Sequence, residues 1–351
     1  MTTTVESVRQ EAAPEAAAAR RLVDRMVKAR ELAVIAVLVV MLGATQLSNS
    51  AFLSEQGIRD LLLNATILVL VAIGQAMVVI TRNVDLSVGS VLGISAFAAG
   101  LCLEDGGHPL VAVLLAVGLG ALFGVVNGAL VSLGKVPALV VTLGTLYVIR
   151  GIDSLWVGSR QITASALPDG FVDFGSDGIS VVPHLALLTL AVLVVVAYYL
   201  RSYRSGRDMY ALGSDPEAAR LAGIPVRARV MTAYVVCGAL AGLAGALYLA
   251  RFGNVDSNTG NGYELVVVSA VVVGGVAFTG GSGTVYGAAL GAVLLTSVNG
   301  VLPALGVSSV WVTAINGCLL LLAIVVDRIL ALRVSGALRK KAAQSRSARR
   351  A

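Results

Sequence analysis

Ten apolar runs, each close to the length needed to cross a lipid bilayer, constrain the fold of this chain more than any other feature. They cover about residues 31–47, 61–80, 86–103, 109–133, 137–157, 184–200, 230–250, 264–278, 285–302 and 309–330. A membrane-crossing helix needs about 20 mainly apolar residues, because its backbone must satisfy its own hydrogen bonds in lipid. Several runs are near the lower limit of about 17 residues, so some helices must tilt, extend or re-enter. The sequence therefore predicts an all-α polytopic membrane protein with about ten transmembrane helices.

The composition excludes a large soluble domain. Only 13% of the 351 residues are charged and the mean hydropathy is +0.87, whereas soluble proteins carry about 25% charged residues. The 39 glycines suit helices that pack closely through small side chains in lipid. Cys102, Cys237 and Cys318 lie in apolar runs without paired spacing, which indicates buried thiols rather than a disulfide framework or a metal site.

The basic residues collect on one predicted side of the membrane. An arm at 1–30, the turns around Arg82 and Lys135, the stretch 201–229 and the tail from Arg328 hold 22 of the 26 Lys and Arg residues. Cytoplasmic loops carry such an excess of positive charge, so we expect both termini in the cytoplasm. The net charge of +6 is therefore a topology signal and does not indicate nucleic-acid binding.

A single membrane domain is predicted between two polar ends. Residues 1–30 are predicted to form a cytoplasmic arm, 31–330 the transmembrane domain and 331–351 a basic cytoplasmic tail. A secretory signal peptide is the alternative for the arm, but the arm is long and no small-residue cleavage site follows the first apolar run cleanly. An outer segment at about 158–183 is rich in Gly, Pro, Asp and Ser, which predicts a structured loop with a short helix, and a second outer loop at 251–264 is rich in Asn and Gly.

The stretch 201–229 is the longest internal polar segment, and six of its residues are Arg. Its middle predicts a helix of about two turns from Pro216 to Ala222, capped by Asp215 and ended by Gly223. Glu217 favours the positive end of the helix dipole. The helix would present a flat surface for another protein, made of Ala218, Ala219, Leu221 and Ala222. A capped juxtamembrane helix without a partner is the alternative.

Two further segments interrupt the apolar runs at predicted inner turns. In residues 81–93, Asp85 with Ser87 can cap the third membrane helix, although a carboxylate so near the membrane is also a candidate functional group. The glycine-rich run 279–283 exposes several backbone amides. No Lys follows it as in a nucleotide-binding loop, so a tight, close-packed turn is favoured over a phosphate site. Residues 81–93 and 279–291 share a Thr start and a Leu-Gly end, a weak indication of duplicated hairpins.

Polar side chains inside the apolar runs are candidates for a translocation path. A hydroxylated solute loses hydration on entering the membrane and needs hydrogen-bonding groups there. Helix–helix packing uses the same residue types, at about 0.6 kcal/mol each, so packing is the alternative at every position. Asn316 is one such amide. The path candidates are Asn64, Gln75, Asp85, Asn127, Thr142, Glu264 and Asn299.

Catalysis has little support in this sequence. The two histidines, His108 and His184, lie at a turn and at the start of an apolar run, and no Ser-His-Asp, HExxH or clustered Asp pattern accompanies them. No Walker A motif is present, so any ATP hydrolysis must be done by another chain. The sequence predicts no metal site and no cofactor.

Several motifs between about residues 60 and 330 together resemble the permease subunit of the ribose-type family of bacterial ABC importers. The matching pieces are Gly74-Gln75, Asp85-Leu-Ser-Val-Gly-Ser90, Asn127-Gly128, Pro137, Thr142-Leu-Gly144, Arg150-Gly151, Gly206-Arg207, residues 213–224, Gly262-Tyr-Glu-Leu265, Gly274-Gly275 and Gly280-Gly-Ser-Gly283. Thr81-Arg82-Asn83 stands before Val84-Asp85, where ribose- and xylose-type members typically have Gly-Gly-Ile-Asp. That form looks like the rhamnose and autoinducer-2 branch.

The resemblance implies an ABC importer permease fold and several partners. These are a second permease chain, identical or related, a cytoplasmic ATPase with two nucleotide-binding domains and an extracytoplasmic sugar-binding protein. It also matches 201–229 to the ATPase-contact loop of the family. The ATPase contacts would then be Gly213, Ser214, Asp215, Pro216, Glu217, Ala218, Ala219, Arg220 and Gly223. Ser214-Asp215-Pro216 departs from the family's usual Gly-Asn and acidic pair, and the proline should stiffen the helix start.

The sequence thus predicts a permease of the bacterial inner membrane that passes a small sugar inward by alternating access. The solute would be a rhamnose-like deoxyhexose, a ribose- or xylose-type sugar or an autoinducer-2-like molecule. One alternative is an ion-coupled secondary sugar carrier, for which Asp85, Glu264 and Arg150 are the ionisable candidates. Another is a membrane scaffold without transport.

Overall fold

The computed structural model describes residues 31–308, 311–312, 314–319, 321–322, 325 and 329. The predicted arm at 1–30 and tail at 331–351 lie outside the described residues, as does part of the run 309–330. Within the described part the chain is mainly α-helical.

Among the described residues, nine helices follow the predicted apolar runs and three short ones lie in polar segments between them. In chain order they are α1 Glu31–Ser48, α2 Glu55–Ile80, α3 Val88–Glu104, α4 Pro109–Ser132, α5 Ala138–Val157, α6 Asp169–Ser176, α7 His184–Ser202, α8 Arg204–Ser214, α9 Pro216–Leu221, α10 Val226–Phe252, α11 Tyr263–Val273 and α12 Val285–Ala304. The described residues between 311 and 329 are also helical. In the described part, seven helices are long and apolar enough to cross a membrane: α1, α2, α4, α5, α7, α10 and α12.

Helix α2 lies at the centre of the bundle. In its most apolar stretch of 18 residues, 94% of the residues are buried. The helix contacts α7, α10, α11 and α12. Leu70, Ile73 and Met77 are among its fully buried side chains, and a helix that is apolar on all sides is expected to be enclosed. The corresponding stretches of α4 and α5 are only 22% buried, so these helices leave broad apolar faces uncovered within the chain.

Helices α4 and α10 pack backbone to backbone through small residues. A side chain at Gly120 would collide with the carbonyl oxygen of Gly238, and one at Gly242 would collide with that of Ala116. Close approach of this kind is typical of helix pairs in membranes, where van der Waals contact drives association.

The first predicted outer loop is structured, as expected, and it pairs with the second. The first contains α6 and a hairpin of β2 (Gly178–Ile179) with β3 (Val182–Pro183). Its first strand, β1 (Ile162–Thr163), pairs antiparallel with β4 (Asn254–Val255) of the second loop. At the start of α2, the Arg59 guanidinium donates to the carbonyl oxygens of Ser176 at 2.5 Å and Ser180 at 3.3 Å, which ties the first loop to the bundle.

Helix α11 is shorter than the apolar run 264–278 predicted. It ends at Val273, because Gly274 and Gly275 begin a glycine-rich turn and Gly275 takes a positive φ of 94°. Eleven residues span about 16 Å, roughly half of a bilayer core. A side chain at Gly291 would collide with the carbonyl oxygen of Ala270, so α11 packs tightly along the first half of α12.

Candidate functional site

Within the stretch 201–229, residues 204–223 form two short consecutive helices, α8 and α9. We call residues 204–223 the polar segment. Asp215 separates them, and its Oδ1 accepts hydrogen bonds from the amides of Glu217 and Ala218, each at 3.0 Å. Pro216 takes the first helical position. Gly223 follows the end of the helix and has a positive φ of 77°. The capped helix predicted from the sequence is therefore confirmed, and the charge of Asp215 is used for capping.

The outward surface of α9 differs in one residue from the expectation. Leu221 is 83% exposed, and Ala218 and Ala222 are exposed as well. Ala219 is only 4% exposed, because it faces the bundle, so its assignment to the docking surface is wrong. Glu217 and Arg220 form an exposed ion pair with each other at 2.9 Å.

The base of the polar segment is joined to the inner end of α2 and to the glycine turn before α12. A side chain at Gly213 would collide with the carbonyl oxygen of Ile80 and the amide of Gly281. The Gly281 amide itself donates to that Ile80 oxygen at 3.0 Å. Gly281 has a φ of 74°, and a side chain there would collide with Ser214. We call this three-way backbone contact of Ile80, residues 213–214 and Gly281 the inner junction.

Two further contacts fix α8 beside the inner junction. The Tyr210 hydroxyl donates to the carbonyl oxygen of Gly283 at 3.1 Å, and burial raises the pKa of Tyr210 to about 12. The hydroxyl thus stays protonated near neutral pH and remains a donor. Arg229, at the start of α10, forms an ion pair with Asp208 at 2.9 Å. Movement of α8 must therefore carry these neighbours with it or break these bonds.

A non-helical break, residues 81–87, separates α2 from α3 and is enclosed by polar side chains. The Gln75 amide, oriented to match its partners, donates to the carbonyl oxygen of Asp85 at 3.1 Å and accepts from the Asp85 amide at 3.2 Å. Asp85 Oδ1 accepts from the Ser87 amide at 2.9 Å and from its hydroxyl at 2.7 Å. Asp85 thus closes a turn with Ser87 just before α3, but neither side chain caps an amide of α3, so the predicted capping of that helix is wrong.

Helices α4, α5 and α10 complete the bonding of this break. Asn127 Nδ2 donates to the Ser87 hydroxyl at 2.8 Å. The carbonyl oxygen of Val84 accepts from the Tyr234 hydroxyl at 3.0 Å and from Thr142 Oγ1 at 3.3 Å. Irregular backbone at membrane depth is tolerated only where protein satisfies its polar groups. Four path candidates, Gln75, Asp85, Asn127 and Thr142, are therefore brought together here, buried and engaged in holding the break.

Glu264 lies elsewhere, at the start of α11. A side chain at Gly89 would fall 2.5 Å from Glu264 Oε2, so the carboxylate rests against the first turn of α3. One turn further along α3, a side chain at Gly93 would collide with the carbonyl oxygen of Thr259, which accepts from Arg150 Nη1 at 2.8 Å. The second outer loop is thus packed onto the glycine face of α3.

Asn64 and Asn299 share an outer cavity with a volume of about 500 Å³. One wall is formed by α2 and another by the second half of α12, and the start of α11 also contributes. Its lining comprises Phe52, Gly57, Asp60, Leu61, Asn64, Leu68, Phe252, Tyr263, Val266, Thr296, Ser297, Asn299 and Gly300. The seven path candidates therefore fall into three places: the break, the start of α11 and this cavity.

Sequence reasoning missed the inner junction, although its parts were visible. It favoured a tight turn for residues 279–283, and the structure confirms positive φ angles at Gly280, Gly281 and Gly283. The partner of that turn depends on tertiary packing and has no local signal. Among the described residues, no group of three or more His, Cys, Asp and Glu residues is placed to hold a metal ion.

Comparison with known proteins adds a family and several relatives. A family model described as "branched-chain amino acid transport system / permease component" matches residues 57–324. That range runs from the first turn of α2 into the last predicted apolar run. No solved structure matches the chain.

The curated relatives include import permeases from several bacteria. Autoinducer 2 import system permease protein LsrC of Enterobacter sp. (strain 638) is 37% identical over 265 residues, which cover 76% of this chain and 77% of the relative. LsrC of Salmonella typhi is 38% identical over 263 residues, 75% of this chain and 74% of the relative. LsrC of Escherichia coli O9:H4 (strain HS) is 34% identical over 261 residues, 74% of this chain and 76% of the relative.

Proposed function

The chain belongs to the branched-chain amino acid transport system / permease component family, and from this premise we propose that it carries a small sugar or a related hydroxylated solute into the cell. It is a transport subunit rather than an enzyme, and a multi-pass protein of the bacterial inner membrane. The relatives named for autoinducer 2 import support an autoinducer-2-like solute. The deoxyhexose alternative rests on the Thr81-Arg82-Asn83 form alone.

The proposed topology has ten membrane segments and both termini in the cytoplasm. Thr284 Oγ1, in the turn before α12, donates to Glu31 Oε1 at 2.6 Å, so α1 begins on the side where that turn lies. The same turn contacts the polar segment through Gly281. Three chain segments thus share one face of the bundle. The many arginines of 201–229 support the assignment of this face of the bundle to the cytoplasm.

The proposed energy source is an ATPase with two nucleotide-binding domains that docks on α9. The observation that carries this proposal is the inner junction, because it connects an exposed helix to the inner end of the central helix α2. A cleft that grips α9 and moves would displace the inner end of α2 and the turn before α12 together. Rigid-body shifts of this kind are a standard means of switching between conformations.

The remaining partners follow from the proposed importer. An extracytoplasmic solute-binding protein would deliver the solute, and a second permease chain, identical or related, would complete the membrane unit. Helices α4 and α5 are mostly uncovered within the chain, which leaves apolar surface for lipid and for that second chain.

Reconstitution tests the proposal directly. The permease, a candidate ATPase and a candidate binding protein are placed in vesicles and assayed with D-ribose, L-rhamnose and autoinducer 2. We expect uptake of at least one solute that requires ATP and the ATPase. Uptake driven by a proton or sodium gradient without an ATPase would instead establish an ion-coupled carrier.

Side-specific labelling tests the topology. In a chain whose three cysteines are replaced by alanine, Leu221→Cys and Asp169→Cys place single thiols on α9 and on α6. A membrane-impermeant maleimide should label Asp169→Cys in intact spheroplasts and Leu221→Cys only in inverted vesicles. The opposite pattern would overturn the orientation and, with it, the docking of a cytoplasmic ATPase on α9.

A further inference from the structure

We propose that the outer cavity binds a neutral, hydroxylated solute within a single chain, on the way into the membrane. The inference rests on the proposed function, since it names where this importer would hold its cargo. The volume of the outer cavity, about 500 Å³, lies within the range of small-molecule sites, about 300–1,000 Å³.

The walls of the cavity combine two kinds of group that a sugar requires. Asn64 on α2 and Asn299 on α12 supply amides, and Thr296 supplies a hydroxyl. Asn299 Oδ1 accepts from Asn316 Nδ2 at 3.1 Å, which leaves the Asn299 NH₂ group as a donor for a solute. Asn64 is exposed although the residues around it on α2 are mostly buried, so its amide faces open space. Phe252 and Tyr263 supply aromatic surface for the apolar C–H face of a solute.

The charge at the cavity favours a neutral occupant. Asp60 is the charged side chain among the described lining residues, and it pairs with Arg251 at 3.1 Å. The lining therefore offers hydrogen bonds without a free charge for an ionic ligand. Because such an ion pair is costly in lipid, its presence near the start of α2 and the end of α10 places the mouth of the cavity at a water-facing end.

The inner side of the cavity is closed by helix packing. Towards the inner end of α12, the contacts of Gly291 with Ala270 and of Gly287 with Gly274 leave no room for a side chain, and hence none for a solute. A bound solute could move inward only if α2, α11 and α12 separate. The inner junction holds the inner ends of two of these walls, α2 at Ile80 and the turn before α12 at Gly281. The proposed lever therefore acts on the helices that line the cavity.

Solute protection of single cysteines tests this assignment. In the cysteine-free chain, Asn64→Cys and Gly300→Cys place thiols on the two walls. Gly300 has space for a side chain, since its nearest neighbours are ring atoms of Phe52 at 3.9 Å. Leu114→Cys on α4, where the side chain is exposed on an apolar helix, is the matched control. Reconstituted complexes are treated with a charged thiosulfonate, with and without D-ribose, L-rhamnose or autoinducer 2.

Both cavity thiols should react, and the control thiol should not, because the reagent modifies thiols in water. A solute that the wild type imports is added at ten times its Kd. It should slow the modification of both cavity thiols by about tenfold, since few cavities are then free of solute. If an imported solute leaves both rates unchanged, or if neither thiol reacts, the cavity is not its site, while the proposed function stands. If the wild type imports none of the solutes with its ATPase, the proposed function fails first.

Discussion

Gly213 lies directly against the carbonyl oxygen of Ile80, and even a methyl group on Gly213 would collide with it. That oxygen also accepts the amide hydrogen of Gly281 at 3.0 Å. The polar segment, the central helix and the glycine turn therefore meet through backbone atoms, which cannot move aside as a flexible side chain can. A displacement of any one of them must be shared by the others.

The variant Gly213→Ala should disrupt this junction. The new Cβ would collide with the Ile80 oxygen and the Gly281 amide, and forcing extra atoms into a packed site typically costs about 1–3 kcal/mol. We expect the protein to insert in the membrane at normal levels and its ATP-dependent uptake to fall. Uptake by reconstituted vesicles and the melting temperature in detergent measure the two effects.

Gly144→Ala provides the matched control for this prediction. Gly144 lies within α5 and has no heavy atom within 4 Å of an added Cβ, so alanine should be tolerated there. Equal uptake by Gly213→Ala and Gly144→Ala would show that the inner junction does not transmit movement.

Asp215 should act through capping rather than through its charge. Its Oδ1 holds the amides of Glu217 and Ala218, and loss of such a cap costs about 1 kcal/mol. Asp215→Ala should therefore fray α9 and lower ATPase binding, whereas Asp215→Ser should keep both the cap and the binding. Pull-down of the ATPase by the purified permease measures the difference. Equal loss in both variants would mean that the partner contacts the carboxylate.

Leu221 should be the apolar anchor of the docking surface. It is 83% exposed on a polar segment, so Leu221→Asp should change folding stability by less than about 0.5 kcal/mol. Burying a Leu side chain against a partner nonetheless removes apolar surface from water, which contributes about 1.5–3 kcal/mol. We expect Leu221→Asp to weaken ATPase binding and to abolish the stimulation of ATP hydrolysis, and Leu221→Met to preserve both. Normal binding by the Asp variant would move the docking site away from α9.

Much of the architecture could be predicted because each element has a local cause. Apolar length predicts where the helices lie, and the sequence around Asp215 carries all the atoms that cap α9. The motifs between residues 60 and 330 predicted the family, which the match over 57–324 confirms. The early end of α11 was missed because its run continues in hydropathy beyond Val273, while Gly274 and Gly275 stop the helix.

The candidate site could be predicted only in part, because pairing across the bundle has no local signal. An amide within an apolar run can face a cavity, as Asn64 does, or bond to a helix break, as Gln75 does. Both positions look alike in the sequence. The burial of Ala219 beside the exposed Leu221 depends likewise on how α9 sits on the bundle.

Tyr210 predicts a specific pH dependence of stability. Burial raises its pKa from 10.0 to about 12, so the folded state holds this proton more tightly than the unfolded chain. The stabilisation is complete below pH 10 and is lost as pH rises towards 12. Tyr210→Phe removes the bond to Gly283, which is worth about 1 kcal/mol. The difference in the free energy of unfolding between wild type and Tyr210→Phe should be constant from pH 7 to 9. It should become smaller between pH 10 and 12. If this difference is the same at pH 12 as at pH 7, the raised pKa of Tyr210 is contradicted.

Gln75→Leu should destabilise the protein through the helix break. The Gln75 amide bonds both backbone groups of Asp85 in a fully buried site, and leucine would leave these groups without partners. A buried unsatisfied backbone group costs about 1–3 kcal/mol. Gln161→Leu is the control, since Gln161 is exposed and water can replace its bond to Asn254. We expect a clear drop in melting temperature for the first variant and almost none for the second. Similar melting temperatures with reduced solute uptake in Gln75→Leu would instead identify Gln75 as a wall of the translocation path, because a path residue affects transport more than folding.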